Sequence, residues 1–197
     1  MDRLEGFFAE LGQALAKVRC TSAGGEEISR EEAYRRTLSL ALNTADKGGK
    51  QMFIGNGGSA AIASHMAIDF SKNGGLPAMC FNDGAALTCL GNDFGYEEVF
   101  ARQIGYHGRK EDLLFAISSS GASPSILRAV DVARRIGCAV VTMSGFKPTN
   151  PLRTMGDVNF HVNLEDYGVV EVAHTVLIHA VVELKRANWL AAAQVAD

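Results

Sequence analysis

The sequence predicts an α/β protein built on a parallel, doubly wound sheet and preceded by an N-terminal helical arm. Three observations carry that expectation. Five short apolar runs alternate with stretches of helical period. Two of these runs end in glycine- or serine-rich loops that lead straight into a helix. Two amphipathic segments precede any strand signal.

In the arm, residues 3–18 place Leu4, Phe7, Phe8, Leu11, Leu15 and Val18 at helical spacing. The stretch CTSAGGEEIS breaks this helix, and Ser29 followed by Glu31 and Glu32 caps a second one that runs to Asp46. Residues 1–48 are therefore read as helices and 49–197 as the α/β domain. Beyond Gly48-Gly49, QMFIG (51–55), PAMCF (77–81), LLFAI (113–117), AVVTM (139–143) and VNFHV (158–162) read as buried strands. Helical period fills 59–72, 84–91 with 97–104, and 123–137. A last helix is expected over 169–192, apolar on more than one side, as in helices buried between layers or subunits.

A length of 197 residues fits one domain, or one domain with an arm. Apolar residues at 47% and charged residues at 21% exclude wholesale disorder. The net charge is −3 and no Lys/Arg run exists to track a phosphate backbone, so no direct nucleic-acid partner is expected. The four cysteines lack CxxC spacing, and three lie in or beside apolar runs, which predicts buried free thiols in a reducing cytoplasm. MDRLEGFFAEL carries charges through its apolar stretch, unlike a signal peptide. VAHTVLIHAVVEL reads as too short and too polar for a bilayer, so no membrane partner is expected.

In a parallel α/β sheet, ligands sit beyond the carboxyl ends of the strands. The first strand ends in Gly55-Asn56-Gly57-Gly58-Ser59-Ala60 at a helix start. Glycines let the backbone turn with its N–H groups exposed, and the helix terminus adds about half a positive charge. The third run ends in Ser118-Ser119-Ser120-Gly121-Ala122-Ser123-Pro124, with Ser123 placed as cap and Pro124 at the first helical position. Hydroxyls and free N–H groups with no Lys or Arg nearby suit a neutral cradle for one phosphate monoester. Turns and caps alone would use the same residue types. GNGGSA also fits the dinucleotide pattern GxGxxA, with Asp83 at the place of a ribose acid, but the serine loop has no role in that reading. No GxxxxGK[ST] occurs, which excludes a P-loop nucleoside triphosphatase.

His65 and Asp69 lie four apart and share one helical face. Glu171 and His179, eight apart on the last helix, project within about 80° of each other. Two such pairs would complete four ligands for a divalent metal, although surface pairs and capped core histidines show the same spacing. His174 projects elsewhere and reads as a core or interface residue, while His107 and His161 read as structural or solvated.

GNGGSA, the segment GNDFGYE (Gly91 to Glu97), FARQI and SSSGASP together resemble the SIS (sugar isomerase) domain, and within it the phosphoheptose isomerases, over roughly residues 35–190. The resemblance implies a three-layer α/β/α sandwich with a five-stranded, flavodoxin-like parallel sheet. It also implies a homotetramer with active sites between subunits. The implied activity is aldose–ketose isomerisation of sedoheptulose 7-phosphate through an enediol, with no nucleotide cofactor. Asn56, Gly57, Gly58, Ser59, Ser118, Ser119, Ser120 and Ser123 would hold the phosphate end, with Asn56 and Asp93 contacting the sugar. Asp69 and His179 would be the proton-transfer pair, and His65, Asp69, Glu171 and His179 would bind zinc.

The chain departs from the family at four of these places. Asp69 stands where the family has Glu, and Glu171 stands where it has Gln. The second change makes the ligand set more negative, which tightens a cation and weakens it as a Lewis acid. Asn73 replaces an Arg and Val169 a basic residue, both near the sugar. Two other readings stand beside the isomerase. One is a non-catalytic SIS protein that binds a phosphosugar or a replication initiator. The other is an isomerase for a different sugar phosphate.

Overall fold

Alternation along a few short strands decides which residues face which layer. The computed structural model describes residues 2–190. Its helices are α1 (Arg3–Ala16), α2 (Arg30–Asp46), α3 (Gly58–Lys72), α4 (Gly84–Phe94), α5 (Val99–His107), α6 (Pro124–Ile136) and α7 (Tyr167–Arg186). Its strands are β1 (Arg19–Ser22), β2 (Glu27–Ile28), β3 (Gln51–Gly55), β4 (Ala78–Cys80), β5 (Leu113–Ser118), β6 (Ala139–Gly145) and β7 (Val158–Val162).

The sheet order is β2-β1-β7-β6-β5-β3-β4. The five strands expected from the apolar runs form its parallel part, β4-β3-β5-β6-β7. Numbered among themselves they take the flavodoxin-like order 2-1-3-4-5. Phe53, Phe115, Ile117 and Phe160 point to one face, where α2, α3 and α7 cover them. Met52, Ile54, Leu114 and Ala116 point to the other face, packed with Ile104 of α5 and Ile126, Ala129 and Val130 of α6. Phe53 and Phe115 stack at 4.8 Å, and Phe70 of α3 meets both edge-on, which ties α3 to the strand pair it follows.

The sheet has seven strands rather than the expected five. CTSAGGEEIS breaks the first helix as expected, but it also folds into β1 and β2. β1 runs antiparallel to β7, with Cys20 opposite Phe160, and β2 pairs with β1. Both are too short and too polar to announce themselves by pattern. They form because β7, buried on both faces, would otherwise leave its outer row of backbone groups unpaired. Thr21 adds a hydroxyl bond to the Arg153 carbonyl at 2.9 Å.

Ser29 caps α2 as expected, accepting from the Glu32 N–H at 3.1 Å. The last helix stops at Arg186, with Asn188 in the left-handed region at φ 51°, a common helix stop. Positions 191 and 192 of the predicted helix lie outside the described residues. By length and composition alone, α7 would pass as a membrane span. Its Val170, Ala173, Leu177, Ile178 and Val181 are buried in the core instead. All four cysteines are free, but only Cys20 and Cys138 are buried; Cys80 lies on the edge strand and Cys89 is exposed on α4.

Two imidazoles sit wholly inside the fold. His174 Nε2 donates to the Ser144 carbonyl at 3.0 Å, and His161 Nδ1 lies 3.2 Å from the Ser144 hydroxyl. Burial pushes both down to about 4, with the Arg153 charge adding to the effect on His161. Below pH 6.5 the unfolded chain therefore takes up protons that the native protein refuses. Stability should fall from about pH 6.5 to about pH 4, by up to about 1.4 kcal/mol per pH unit for each histidine. Urea midpoints at pH 7.5 and pH 5 measure this, and His174→Asn should make the decline shallower.

Candidate active site

β3 and β5 are parallel neighbours, with Gly55 opposite Ile117, so the loops that follow them emerge side by side. Between the loops lies a cleft of about 230 Å³ lined by Asn56, Gly57, Ser59, Ser118, Ser119, Ser120 and Ser123, with Tyr167 and Glu171 closing it. α3 and α6 both begin at its wall, so two sets of unpaired helix N–H groups border it. Gly57, at φ 54°, turns the chain into α3 without a side-chain cap. None of the lining residues is Lys or Arg. The cleft suits an ester phosphate held by neutral donors.

Ser123 stands at the cap position of α6 but makes no cap bond; its Oγ accepts from Ser118 Oγ at 3.2 Å instead. Ser59 is buried as the second residue of α3 rather than capping it. The Ser119 hydroxyl is buried in the cleft without a protein partner, and a ligand oxygen would satisfy it. Asp83 caps α4 through the Ala86 N–H at 2.9 Å, a local role that accounts for it without a ribose. Asp93 does not line the cleft. It is exposed on α4 and accepts from Asn92 and Cys89 of its own helix.

Two tyrosines escaped sequence reasoning. Tyr96 Oη donates to Asn56 Oδ1 at 2.7 Å, a contact across 40 residues. Tyr167 lines the cleft from the start of α7, its ring edge-on to Phe146 at 4.7 Å. The available signal for Tyr96 was its place inside GNDFGYE; nothing local marked Tyr167.

Along the contact between α3 and α7, His65, Asp69 and His179 converge, with one ligand atom from each lying within 4.8 Å of the others. The His65 and His179 rings are 5.6 Å apart, and His179 Nε2 is 3.5 Å from Asp69 Oδ2. Asp69 is 6% exposed. Its Oδ1 accepts a bond from Asn73, the residue standing where the resembling family has Arg, and its Oδ2 is buried without a hydrogen-bond partner. A lone buried carboxylate oxygen is costly. Facing two imidazoles, it has the donor set of a divalent-metal site or the two ends of a proton relay.

Glu171 stands outside this trio. Eight residues separate it from His179, about 12 Å along the helix axis. Its carboxylate packs instead on Gly58, where an added Cβ would come within 2.2 Å of Oε2. His174 lies in the core as expected, and Val169 is buried there too, so it presents nothing to a sugar.

Gly58→Ala should therefore displace the Glu171 carboxylate or the start of α3. We expect weakened sugar-phosphate binding in calorimetry with the urea midpoint little changed, because the atoms displaced are the end of a flexible side chain.

The SIS domain, as its family model describes it, matches residues 26–145. A phosphoheptose isomerase of Helicobacter pylori is 34% identical over 157 residues, covering 77% of this chain and 81% of the relative. One from Aliarcobacter butzleri is 33% identical over 160 residues, covering 78% and 84%. The solved structure of a phosphoheptose isomerase from Neisseria gonorrhoeae aligns at a TM-score of 0.80 with 31% identity, over 93% of this chain and 98% of that one.

Proposed function

The chain belongs to the SIS domain family and to its phosphoheptose isomerases, and on that premise we propose that it interconverts sedoheptulose 7-phosphate and the corresponding aldose phosphate. The observation that carries the chemistry is the buried, unpartnered Asp69 Oδ2 facing His179 Nε2 at 3.5 Å.

Isomerisation moves a proton between two adjacent carbons through an enediol and needs a base, an acid and stabilisation of oxyanion charge. Asp69 is the base: Asn73 occupies Oδ1, so Oδ2 is the oxygen left to take the proton and return it to the neighbouring carbon. His179, with its side chain 39% exposed, is the acid that protonates the carbonyl oxygen. The serine cleft anchors the ester, so binding energy from the non-reacting end orients the reacting carbons. Ser59, Ser118, Ser119, Ser120, Ser123 and Asn56 supply that grip, with the Gly57 and Gly58 backbone. His65, Asp69 and His179 are the residues that would hold a zinc ion. Such an ion supplies Lewis-acid polarisation of the carbonyl when bound. The reaction is internal to the sugar and calls for no nucleotide.

The assembly we propose is a homotetramer with active sites between subunits. Ile68, Val172 and Val176 are exposed apolar residues on the helices that carry His65 and His179, and Leu4, Phe7 and Phe8 are exposed on α1. A second copy covering these faces would bury them and exclude water from the reacting end. Free cysteines throughout support a cytoplasmic setting.

A second reading, an isomerase for a different sugar phosphate, is favoured by one observation. Asn73 is spent on Asp69 and Val169 is buried, so two basic contacts of the family are missing.

Rates on a panel of C5 to C7 ketose phosphates test both readings. The heptulose phosphate should turn over best, and Asp69→Asn or His179→Ala should each lower kcat by about 10²- to 10⁴-fold. Wild-type rates in both variants would remove the pair from the mechanism. Metal analysis of the purified protein should find zinc that His65→Ala loses, and light scattering at micromolar concentration should give four chains.

A further inference from the structure

Resting on the phosphosugar reading above, we infer that Tyr96 is a positioning residue whose hydroxyl anchors the Asn56 amide at the wall of the ester cleft. Asn56 is the first residue beyond β3. It lines the serine cleft on one side and, on the other, a second cavity of about 590 Å³ bounded by Gly95, Tyr96, Ser123 and Ser125. The amide is a partition between the two spaces, so what anchors it decides where its donors stand.

Both ends of that amide are engaged. Oδ1 accepts from Tyr96 Oη at 2.7 Å, and Nδ2 donates to Ser125 Oγ at 3.0 Å. A primary amide has one carbonyl oxygen and two N–H groups. With the oxygen tied to a phenol and one N–H tied to a serine, the remaining N–H is the group left for a ligand. An amide free to swing about its side-chain bonds would carry that N–H away from a bound ester. Tyr96 bonded to one end and Ser125 to the other hold the amide in place, so that N–H stays at the cleft wall.

The turn that delivers Tyr96 is itself braced. Gly95 ends α4 at φ 88°, ψ 153°, a conformation that L side chains rarely adopt. Arg128 of α6 reaches Glu97 and Glu98 at 2.7 Å each, and Arg102 reaches Glu98 at 3.4 Å. Burial does not explain the tyrosine, because Tyr96 is 59% exposed. Among the described residues its hydroxyl bonds to Asn56 alone.

Tyr96→Phe keeps the ring and removes only the hydroxyl. We expect KM for the sugar phosphate to rise about five- to ten-fold, the equivalent of one hydrogen bond, with kcat and thermal midpoint little changed. Asn56→Ala should raise KM at least as much, and the double variant should be no worse than Asn56→Ala alone, because the tyrosine acts through the amide. Arg128→Gln, which loosens the turn without touching the ring, should shift KM in the same direction. A wild-type KM in Tyr96→Phe, or effects of the two substitutions that multiply, would overturn the relay while leaving the isomerase reading intact. A wild-type protein that neither binds nor turns over any sugar phosphate would instead overturn the functional reading, and the relay with it.

Discussion

The site depends on β3 and β5 being hydrogen-bonded neighbours although a strand and three helices separate them in the chain. From β3 the chain crosses through α3 to β4 on one side, then returns through α4 and α5 to β5 on the other. The connections out of the two central strands thus leave on opposite faces, α3 above one layer and α6 above the other, and a crevice opens between them. Phe53, Phe115 and Phe70 lock that neighbour relation from inside, since the three rings lie within 5.3 Å of one another. The glycine loop and the serine loop meet because the sheet leaves them no other place.

What fills the crevice is electrically unusual for an anion site. Its donors are hydroxyls, backbone N–H groups and two helix termini, and its one charged wall is an acid, Glu171. An ester entering it would share the space with that carboxylate, and like charges at close range repel. A grip there would rely on fixed dipoles arranged around the ester rather than on a counter-ion.

The parallel strands were legible because burial on both faces writes them as near-continuous apolar runs, and the helix starts because Ser29, Ser123 and Pro124 are start residues. β1 and β2 were not legible, since four and two residues at an edge take their structure from β7 rather than from their own pattern. His65 and Asp69 could be paired on i, i+4 spacing, whereas His179, on a helix far along the chain, was joined to them by the family resemblance. Glu171 was grouped with them on angle around the axis and on the family resemblance, whereas its rise along the axis carries it to the glycine loop. The Tyr96 contact with Asn56 joins two loops through tertiary structure, which no spacing rule encodes.

The two ends of the sheet have one property in common. One is closed by β2, two residues long, and the other by β4, three residues long. Neither offers enough free backbone to recruit a strand from another molecule. Growth by lateral strand addition is thereby disfavoured at both borders, which leaves the helix surfaces as the faces open to a second copy.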